Sequence, residues 1–152
     1  MRKKVHYRER YLFATHADSP LAQTDAVTWR EAVGANLCLL HESMQNRRVL
    51  NKLAQSLGLT LAPTVTSDSF LAVCSHVCSG EWSSIIPHTF SYIFSGCKDL
   101  ALIDLIEPVH SQAIGIVTTD RDPLSPLAHA LMRCADRLDL EASFCYRAAL
   151  GT

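Results

Sequence analysis

Polar side chains follow a short apolar run in the first half of the chain. The run 37–40 (LCLL) has the length and composition of a buried strand, and residues 41–47 (HESMQNR) carry imidazole, hydroxyl, amide and guanidinium groups. Helical spacing of apolar residues begins at Gln45 and ends at Gly58. Ligands of open α/β sheets bind where strands end and helices begin, and helix N-terminal N–H groups favour an anion. We therefore predict that a small anion such as a carboxylate binds here; ordinary helix capping is the alternative interpretation.

Two further junctions follow the same logic. Residues 67–69 (SDS) precede a helix that ends at Gly80, with Ser67 or Asp68 expected as its cap. At the end of the strand 82–86, Ile86, Pro87 and His88 are expected to form an apolar wall of the ligand cleft. Thr15 and His16 are further candidates for ligand contact. The predicted ligand contacts are His41, Ser43, Met44, Gln45, Asn46, Arg47, Ser67, Asp68, Ser69, Ile86 and Pro87.

Catalytic and metal chemistry find less support in the residue spacing. Cys74 and Cys78 lie four apart on one helical face, with His76 and His88 nearby, but a second closely spaced pair of the kind that structural zinc needs is missing. Residues 80–84 (GEWSS) lack the second glycine of a nucleophile elbow. We therefore expect no metal, no cofactor and no catalytic residue.

Composition limits the classes that remain. The chain has 152 residues, of which 48% are hydrophobic and 19% charged, and this length and composition suit one folded domain. Its net charge of −1 argues against a DNA-binding surface, which is normally basic. The basic residues near the N-terminus are read as a solvated or non-native end. With no apolar run long enough for a membrane and no export signal, we expect a cytoplasmic protein whose six cysteines act as small buried hydrophobes.

The secondary-structure elements predicted to position these residues are strands that alternate with helices. We predict strands over 10–15, 37–40, 59–66, 82–86, 100–105 and 113–118. Helices are predicted after Thr28, from Gln45, before Gly80 and after Ser125–Pro126, with a helical turn at 89–94 and a weakly structured tail at 139–152. This alternation indicates an α/β fold with a mostly parallel sheet that helices flank on both faces.

Three stretches resemble the regulatory domain of LysR-type transcriptional regulators. Residues 11–22 (YLFATHADSPLA) are similar to a hydrophobic strand followed by a D-H-P-L-A turn, with Ser19 at the usual histidine. Residues 67–87 resemble the family's helix ending in V-x-x-G-x-G and its strand ending in V-P, although Trp82 replaces the second glycine. Residues 115–126 resemble the returning strand, charged turn and closing helix, and 37–47 resembles a subset of the family with a polar M-Q-N-R.

The resemblance implies a two-lobed, periplasmic-binding-protein-like fold (type II) with an effector in the cleft between the lobes. It assigns 1–9 to an N-terminal lead-in, 10–118 to the second regulatory lobe, 119–138 to the returning segment and helix of the first lobe, and 139–152 to the tail. The winged helix-turn-helix, the linker helix and most of the first lobe have no counterpart in the sequence, which indicates a truncated form or a fragment.

The preferred hypothesis is a small-molecule sensor domain of a LysR-type regulator. Its expected partners are a small anionic metabolite and further copies of itself, with no membrane and no direct contact with DNA. The alternatives are a stand-alone small-molecule-binding or protein-interaction module outside transcription, a transport-type binding protein, and an enzyme. Genomic sequence upstream of Met1 that encodes a helix-turn-helix would favour the fragment.

Overall fold

A computed structural model describes residues 1–120 and 123–144. Its strands are β1 (Arg2–His16), β2 (Ala26–Thr28), β3 (Cys38–Leu40), β4 (Val65–Ser67), β5 (Ser84–Pro87), β6 (Leu100–Ile106) and β7 (Ser111–Thr118). Its helices are α1 (Trp29–Gly34), α2 (Gln45–Ser56), α3 (Phe70–Cys78), α4 (Phe90–Ile93), α5 (Pro126–Asp136) and α6 (Leu140–Ser143), with a 3-10 turn at Pro20–Gln23. Residues 145–152 of the tail and 121–122 of the charged turn lie outside the described residues.

The predicted α/β class is confirmed, and one strand departs from the parallel arrangement. The main sheet has the order β2-β6-β1-β5, with β2 parallel to β6 and with β1 antiparallel to both β5 and β6. A parallel bridge between Leu37 and Ser83 continues the sheet to β3, which pairs in parallel with β4. The strands β2 to β6 therefore point the same way, and their carboxyl ends share one edge.

Strand β1 is longer than predicted, because its first half is a polar ribbon rather than a core strand. Residues 11–16 pair within the main sheet, whereas residues 2–10 pair with β7. Arg2 and Lys4 form ion pairs with Asp120 and Asp136 respectively. The first residues are thus exposed to solvent, as expected, but they form part of a strand, and two of their charges pair with Asp120 and Asp136.

Helices cover both faces of the main sheet, as the alternation predicted. Side chains on one face, including Phe13 and Ile103, pack with Trp29 of α1 and Leu50 of α2. On the other face, Ala14 and Ile86 pack with Val77 of α3 in one cluster. Cys38, Leu40 and Val73 form the neighbouring cluster on that side. Within the described residues, no helix is long and apolar enough to cross a membrane.

Several helix ends lie where short sequence signals predicted them. Thr28 and Glu31 form the predicted capping box of α1, and Gly58 and Gly80 adopt the left-handed conformation with φ of 69° and 92°. One of residues 67–69 caps α3, as predicted, but it is Ser69, which accepts the N–H of Ala72, and not the favoured Ser67 or Asp68, because the helix begins later. The strand expected over 59–66 is reduced to β4.

Candidate functional site

The two polar segments singled out in the sequence lie side by side. β3 and β4 are adjacent and in register, with Leu40 opposite Ser67. The N–H of His41 donates to the carbonyl oxygen of Ser67 at 2.9 Å. Residues 41–47 and 67–69 therefore leave the sheet at the same edge, next to one another.

The N-terminus of α2 has no side-chain cap. Its N-cap residue is Met44, whose side chain makes no capping hydrogen bond. Ser43, Gln45 and Asn46 do not cap the helix either, so the capping interpretation of these polar residues is wrong. The first turn of a helix has N–H groups without intrahelical partners, and here no side chain of residues 1–120 or 123–144 satisfies them.

Ser43 instead closes a short turn with His41. Its Oγ lies 2.9 Å from Nδ1 of His41, and the same Nδ1 accepts the N–H of Ser43 at 3.3 Å. Arg48 donates from Nη2 to the carbonyl oxygen of Ser43 at 2.6 Å. These contacts give the exposed turn before α2 a defined shape.

Arg47 holds this junction together from inside. Its side chain is buried, with Nη1 donating to the carbonyl oxygen of Leu40 at 3.0 Å and Nε donating to Oδ1 of Asn51 at 2.8 Å. Burial lowers the pKa of Arg47, and the carboxylate of Glu42, 3.8 Å from Nη2, opposes that shift. The guanidinium thus joins α2 to the end of β3, and its predicted contact with a ligand stays a prediction.

A second polar group, centred on Tyr11, was missed in the sequence. Tyr11 lies opposite Pro87 in the sheet, and its phenolic oxygen accepts hydrogen bonds from Nδ2 of Asn46 at 3.4 Å and Nε2 of Gln112 at 3.3 Å. The same Nε2 donates to Oε2 of Glu9 at 2.9 Å. The Tyr11 group (Glu9, Tyr11, Asn46 and Gln112) thus connects α2 to both halves of β1 and to β7.

No local pattern marks this group, because it exists only through the pairing of β1 with β7. Burial, assisted by the charge of Glu9, raises the pKa of Tyr11 to about 12. The phenol is therefore neutral over the physiological range. Oδ1 of Asn46 is buried and makes no hydrogen bond to any residue that the structure describes. An unpartnered polar atom at this position is one to which a ligand or water could bind.

The residues at the carboxyl end of β5 are buried and do not form an exposed apolar wall. Ile86 is in the core with Ala14 and Val77. Pro87 is also buried, next to Tyr11 in the ladder. His88 is buried, and its Nδ1 accepts the N–H of Arg10 at 3.1 Å. Burial lowers the pKa of His88. Contacts of Ile86 and Pro87 with a ligand stay predictions.

Thr15 and His16 do not belong to this edge. Because β1 runs antiparallel to β5, Ala14 lies opposite Ser84 while Tyr11 lies opposite Pro87, so the chain moves away from the strand ends as it reaches Thr15. Oγ1 of Thr15 accepts from Oγ of Ser83 at 3.0 Å. The expectation that these two residues line the same crevice is wrong.

Among the described residues, the thiol of Cys74 from the metal alternative lies near those of Cys38, Cys78 and Cys97, but not in a metal-binding arrangement. Cys74 is buried on the core face of α3, where burial raises the pKa of its thiol to about 12. The described part of the chain contains no group of three or more His, Cys, Asp or Glu side chains positioned to hold a metal ion.

Several solved structures have an architecture similar to that of this chain. The effector binding domain of QuiR in complex with shikimate matches with a TM-score of 0.74 and 15% identity, over 90% of this chain and 64% of that one. The regulatory domain of CcmR from Synechocystis PCC6803, in complex with 2-PG, matches with a TM-score of 0.75 and 12% identity, over 88% and 64%. HinK, a LysR family transcriptional regulator from Pseudomonas aeruginosa, matches with a TM-score of 0.73 and 20% identity, over 90% and 48%.

These identities establish the fold alone, and the chain spans less than two thirds of each of these three proteins. A comparison with curated protein sequences gave no match. The sequence itself matches the model of the LysR substrate binding domain over residues 2–139. Because that match covers most of the chain, the protein belongs to the LysR substrate binding domain family.

Proposed function

We propose that this chain is the effector-binding part of a LysR-type transcriptional regulator and responds to a small metabolite. The observation that carries the proposal is the hydrogen bond from His41 to Ser67, which sets two polar segments side by side at one edge of the sheet. Convergence of loops at strand ends is the usual arrangement of ligand sites in open α/β folds. The family match gives such a site a precedent in this architecture.

The expected ligand is a small anion with further polar groups. The uncapped first turn of α2, a helix of 12 residues, offers N–H groups and the positive end of the helix dipole. The side chains of Ser43, Gln45 and Ser69 are exposed at this edge and can donate hydrogen bonds to a carboxylate. Asp68 is exposed beside them and accepts hydrogen bonds from hydroxyl groups. The complexes of QuiR with shikimate and of CcmR with 2-PG support a ligand of this size.

The lobe boundary falls within β1 in this proposal. Residues 11–16 belong to the main sheet, whereas residues 2–10 pair with β7 and are held by α6 through Glu141, whose carboxylate accepts the N–H of Arg8 at 2.8 Å. We therefore assign the β1 N-terminal half, β7, α5 and α6 to the first lobe. The predicted boundaries of 10–118 for the second lobe change accordingly.

Ligand binding acts by biasing how the two lobes are arranged. The Tyr11 group lies at the crossing point, because Glu9 and Gln112 belong to the β1–β7 ladder while Asn46 belongs to α2. A ligand that contacts Asn46 in the first turn of α2 is therefore connected to the first lobe by two hydrogen bonds, both made by the phenolic oxygen of Tyr11. The size of any shift is limited by the difference in ligand affinity between the two arrangements.

Binding without conversion of the ligand is part of the proposal. The Ser43 and His41 pair is a local turn in which Nδ1 also accepts a backbone N–H, so it lacks the strained, buried setting that activates a serine nucleophile. The net charge of −1 favours no direct contact with DNA. The cytoplasm, where a regulator meets its DNA, is the proposed location.

Thermal shift with a panel of small carboxylates, including shikimate, tests the ligand proposal. A true ligand raises the melting temperature of the wild-type chain, and Gln45→Ala and Ser67→Ala abolish that rise. Gln55→Ala, at the other end of α2, and Ser75→Ala, on the exposed side of α3, are matched controls that retain it. Stabilisation that persists in both site variants would overturn the proposed location.

Self-association is proposed from the surface of α5. Leu127 and Leu131, one turn apart on α5, form an apolar stripe and are 81% and 57% exposed, although such residues pack inside most folded domains. Leu138, just beyond the end of α5, is 60% exposed. We propose that this stripe contacts a second copy of the chain. Analytical ultracentrifugation should show a dimer that Leu131→Glu dissociates and that Leu71→Glu, an exposed leucine on α3, leaves intact. A monomeric wild-type chain contradicts the proposal.

A further inference from the structure

We propose that Cys78 and Cys97 form a reversible disulfide site. Their Sγ atoms lie 3.5 Å apart, although 19 positions separate them in the sequence. Cys78 is the last residue of α3, and Cys97 lies in the turn between α4 and β6. Both side chains are half-buried, unlike the fully buried Cys38 and Cys74. The two thiols are thus close to each other and within reach of small molecules.

The Sγ atoms of Cys78 and Cys97 need to move only a short distance to form a disulfide bond. A disulfide has an S–S length of roughly 2.0 Å, so the sulfurs must approach by about 1.5 Å. The turn that carries Cys97 is exposed on both sides of it, at Gly96 and Lys98. The N–H of Cys97 donates to the carbonyl oxygen of Phe94 at 2.9 Å, and the carbonyl oxygen of Cys97 accepts the N–H of Leu100 at 3.5 Å. Such a turn can adjust by this distance without disturbing the core.

The proposed oxidant is a small-molecule disulfide such as oxidised glutathione. The thiolate of Cys97 attacks one sulfur of this compound and displaces one thiolate, which gives a mixed disulfide on Cys97. The sulfur of Cys78 then gives its proton to solvent and attacks the Cys97 sulfur, displacing the second small thiolate. Two protein thiols and one small disulfide thus become one protein disulfide and two small thiols.

The surroundings of Cys78 affect the second step, the formation of the protein disulfide, in two opposite ways. Burial, together with the neighbouring Cys97 and Asp99, raises the pKa of Cys78 to about 11. Few Cys78 side chains are thiolates at neutral pH, so the second step speeds up as the pH rises. Once Cys97 carries the mixed disulfide, however, the Cys78 sulfur is already beside it, and such proximity favours the intramolecular reaction.

The bond would fix one end of a helix whose other end lies at the candidate ligand site. α3 begins directly after residues 67–69 and ends at Cys78. A disulfide between residues 78 and 97 ties this helix to the segment that leads into β6. It also closes a loop in the unfolded chain, and we expect the melting temperature to rise by about 5 °C.

Mass spectrometry tests the pairing directly. The reduced chain is equilibrated with oxidised glutathione, free thiols are alkylated, and the chain is cleaved after lysine, arginine and glutamate. Cleavage at Lys52, Glu81 and Lys98 separates the peptide with Cys97 from the one with Cys74 and Cys78. We expect these two peptides to be joined by a bond that dithiothreitol reverses, with the melting temperature raised as stated.

Four variants identify the partners. Cys78→Ser and Cys97→Ser each abolish the cross-link and the rise in melting temperature, whereas Cys74→Ser and Cys134→Ser, the latter on exposed α5, keep both. Circular dichroism of each reduced variant confirms that it is folded. Glutathione adducts without a cross-link, a bond between Cys74 and Cys78, or a bond to Cys134 or Cys145 would overturn the proposal.

Discussion

Nδ2 of Asn46 lies 3.4 Å from the phenolic oxygen of Tyr11, which ties the first turn of α2 to the strand shared by both ladders. The same oxygen accepts a hydrogen bond from Gln112 of β7. One buried side chain therefore joins the candidate ligand site to the polar ribbon that β1 forms with β7. This makes Tyr11 a residue through which a change at α2 can reach β7.

Tyr11→Phe removes this junction while keeping the ring. The variant removes the acceptor of the Asn46 amide and one of the two acceptors of the Gln112 amide, and we expect the free energy of unfolding to fall by about 1 kcal/mol. Urea denaturation measures this change. Tyr92→Phe is the matched control, because Tyr92 is 70% exposed and should show no change. Equal stability of the wild-type chain and Tyr11→Phe would show that the two hydrogen bonds contribute nothing net.

Most of the main sheet was predictable because its strands carry their own signals. The run 37–40 is apolar on both sides, and residues 100–106 combine apolar and β-branched side chains, so each is recognisable without its partners. The capping box at Thr28 and the left-handed Gly58 fixed helix ends for the same reason, since each depends on a few neighbouring residues.

The first half of β1 was not predictable from composition. Its sequence, RKKVHYRER, is mostly polar because the ribbon it forms with β7 is exposed, and a polar ribbon lacks the pattern of a half-buried strand. The Tyr11 group was hidden for the same reason, because Glu9 and Gln112 meet only through that pairing. The antiparallel direction of β1 likewise moved Thr15 and His16 away from the site. Alternating strands and helices favour parallel neighbours and do not reveal such a strand.

Arg47 is expected to stabilise the fold around the candidate site, because its side chain is buried. In Arg47→Ala, the carbonyl oxygen of Leu40 and Oδ1 of Asn51 lose their donors inside the fold, and we expect the free energy of unfolding to fall by about 3 kcal/mol. Guanidinium chloride denaturation tests this. Arg30→Ala, at an exposed position of α1, should lie within about 0.5 kcal/mol of the wild-type chain. A similar small effect for Arg47→Ala would mean that water replaces both donors.

Gly115 is required where the two strands of the ribbon approach most closely. It lies opposite Val5, next to an irregularity in β1, and a Cβ atom placed on it would be 2.0 Å from the carbonyl oxygen of Lys4. Gly115→Ala must therefore push the backbones apart, and we expect a loss of about 2 kcal/mol in the free energy of unfolding. Gly34→Ala has open space around the new methyl group and serves as the control. Hydrogen exchange should show the loss of protection confined to the β1–β7 ladder, and unchanged protection there would contradict the close approach.

His88 should make the fold sensitive to mild acid. Burial holds its pKa below the ordinary value of 6.5, and its Nδ1 accepts the N–H of Arg10. The folded state thus favours the neutral imidazole, so this contribution to stability is complete above pH 6.5 and is lost as the pH falls through the lower folded-state pKa. In His88→Asn, the amide oxygen can accept the same N–H but does not titrate. We expect the free energy of unfolding of the wild-type chain to fall more steeply than that of His88→Asn as the pH decreases from 7 to about 5. His129→Asn, on α5, should follow the wild-type profile, and parallel curves for all three proteins would rule out His88 as the titrating group.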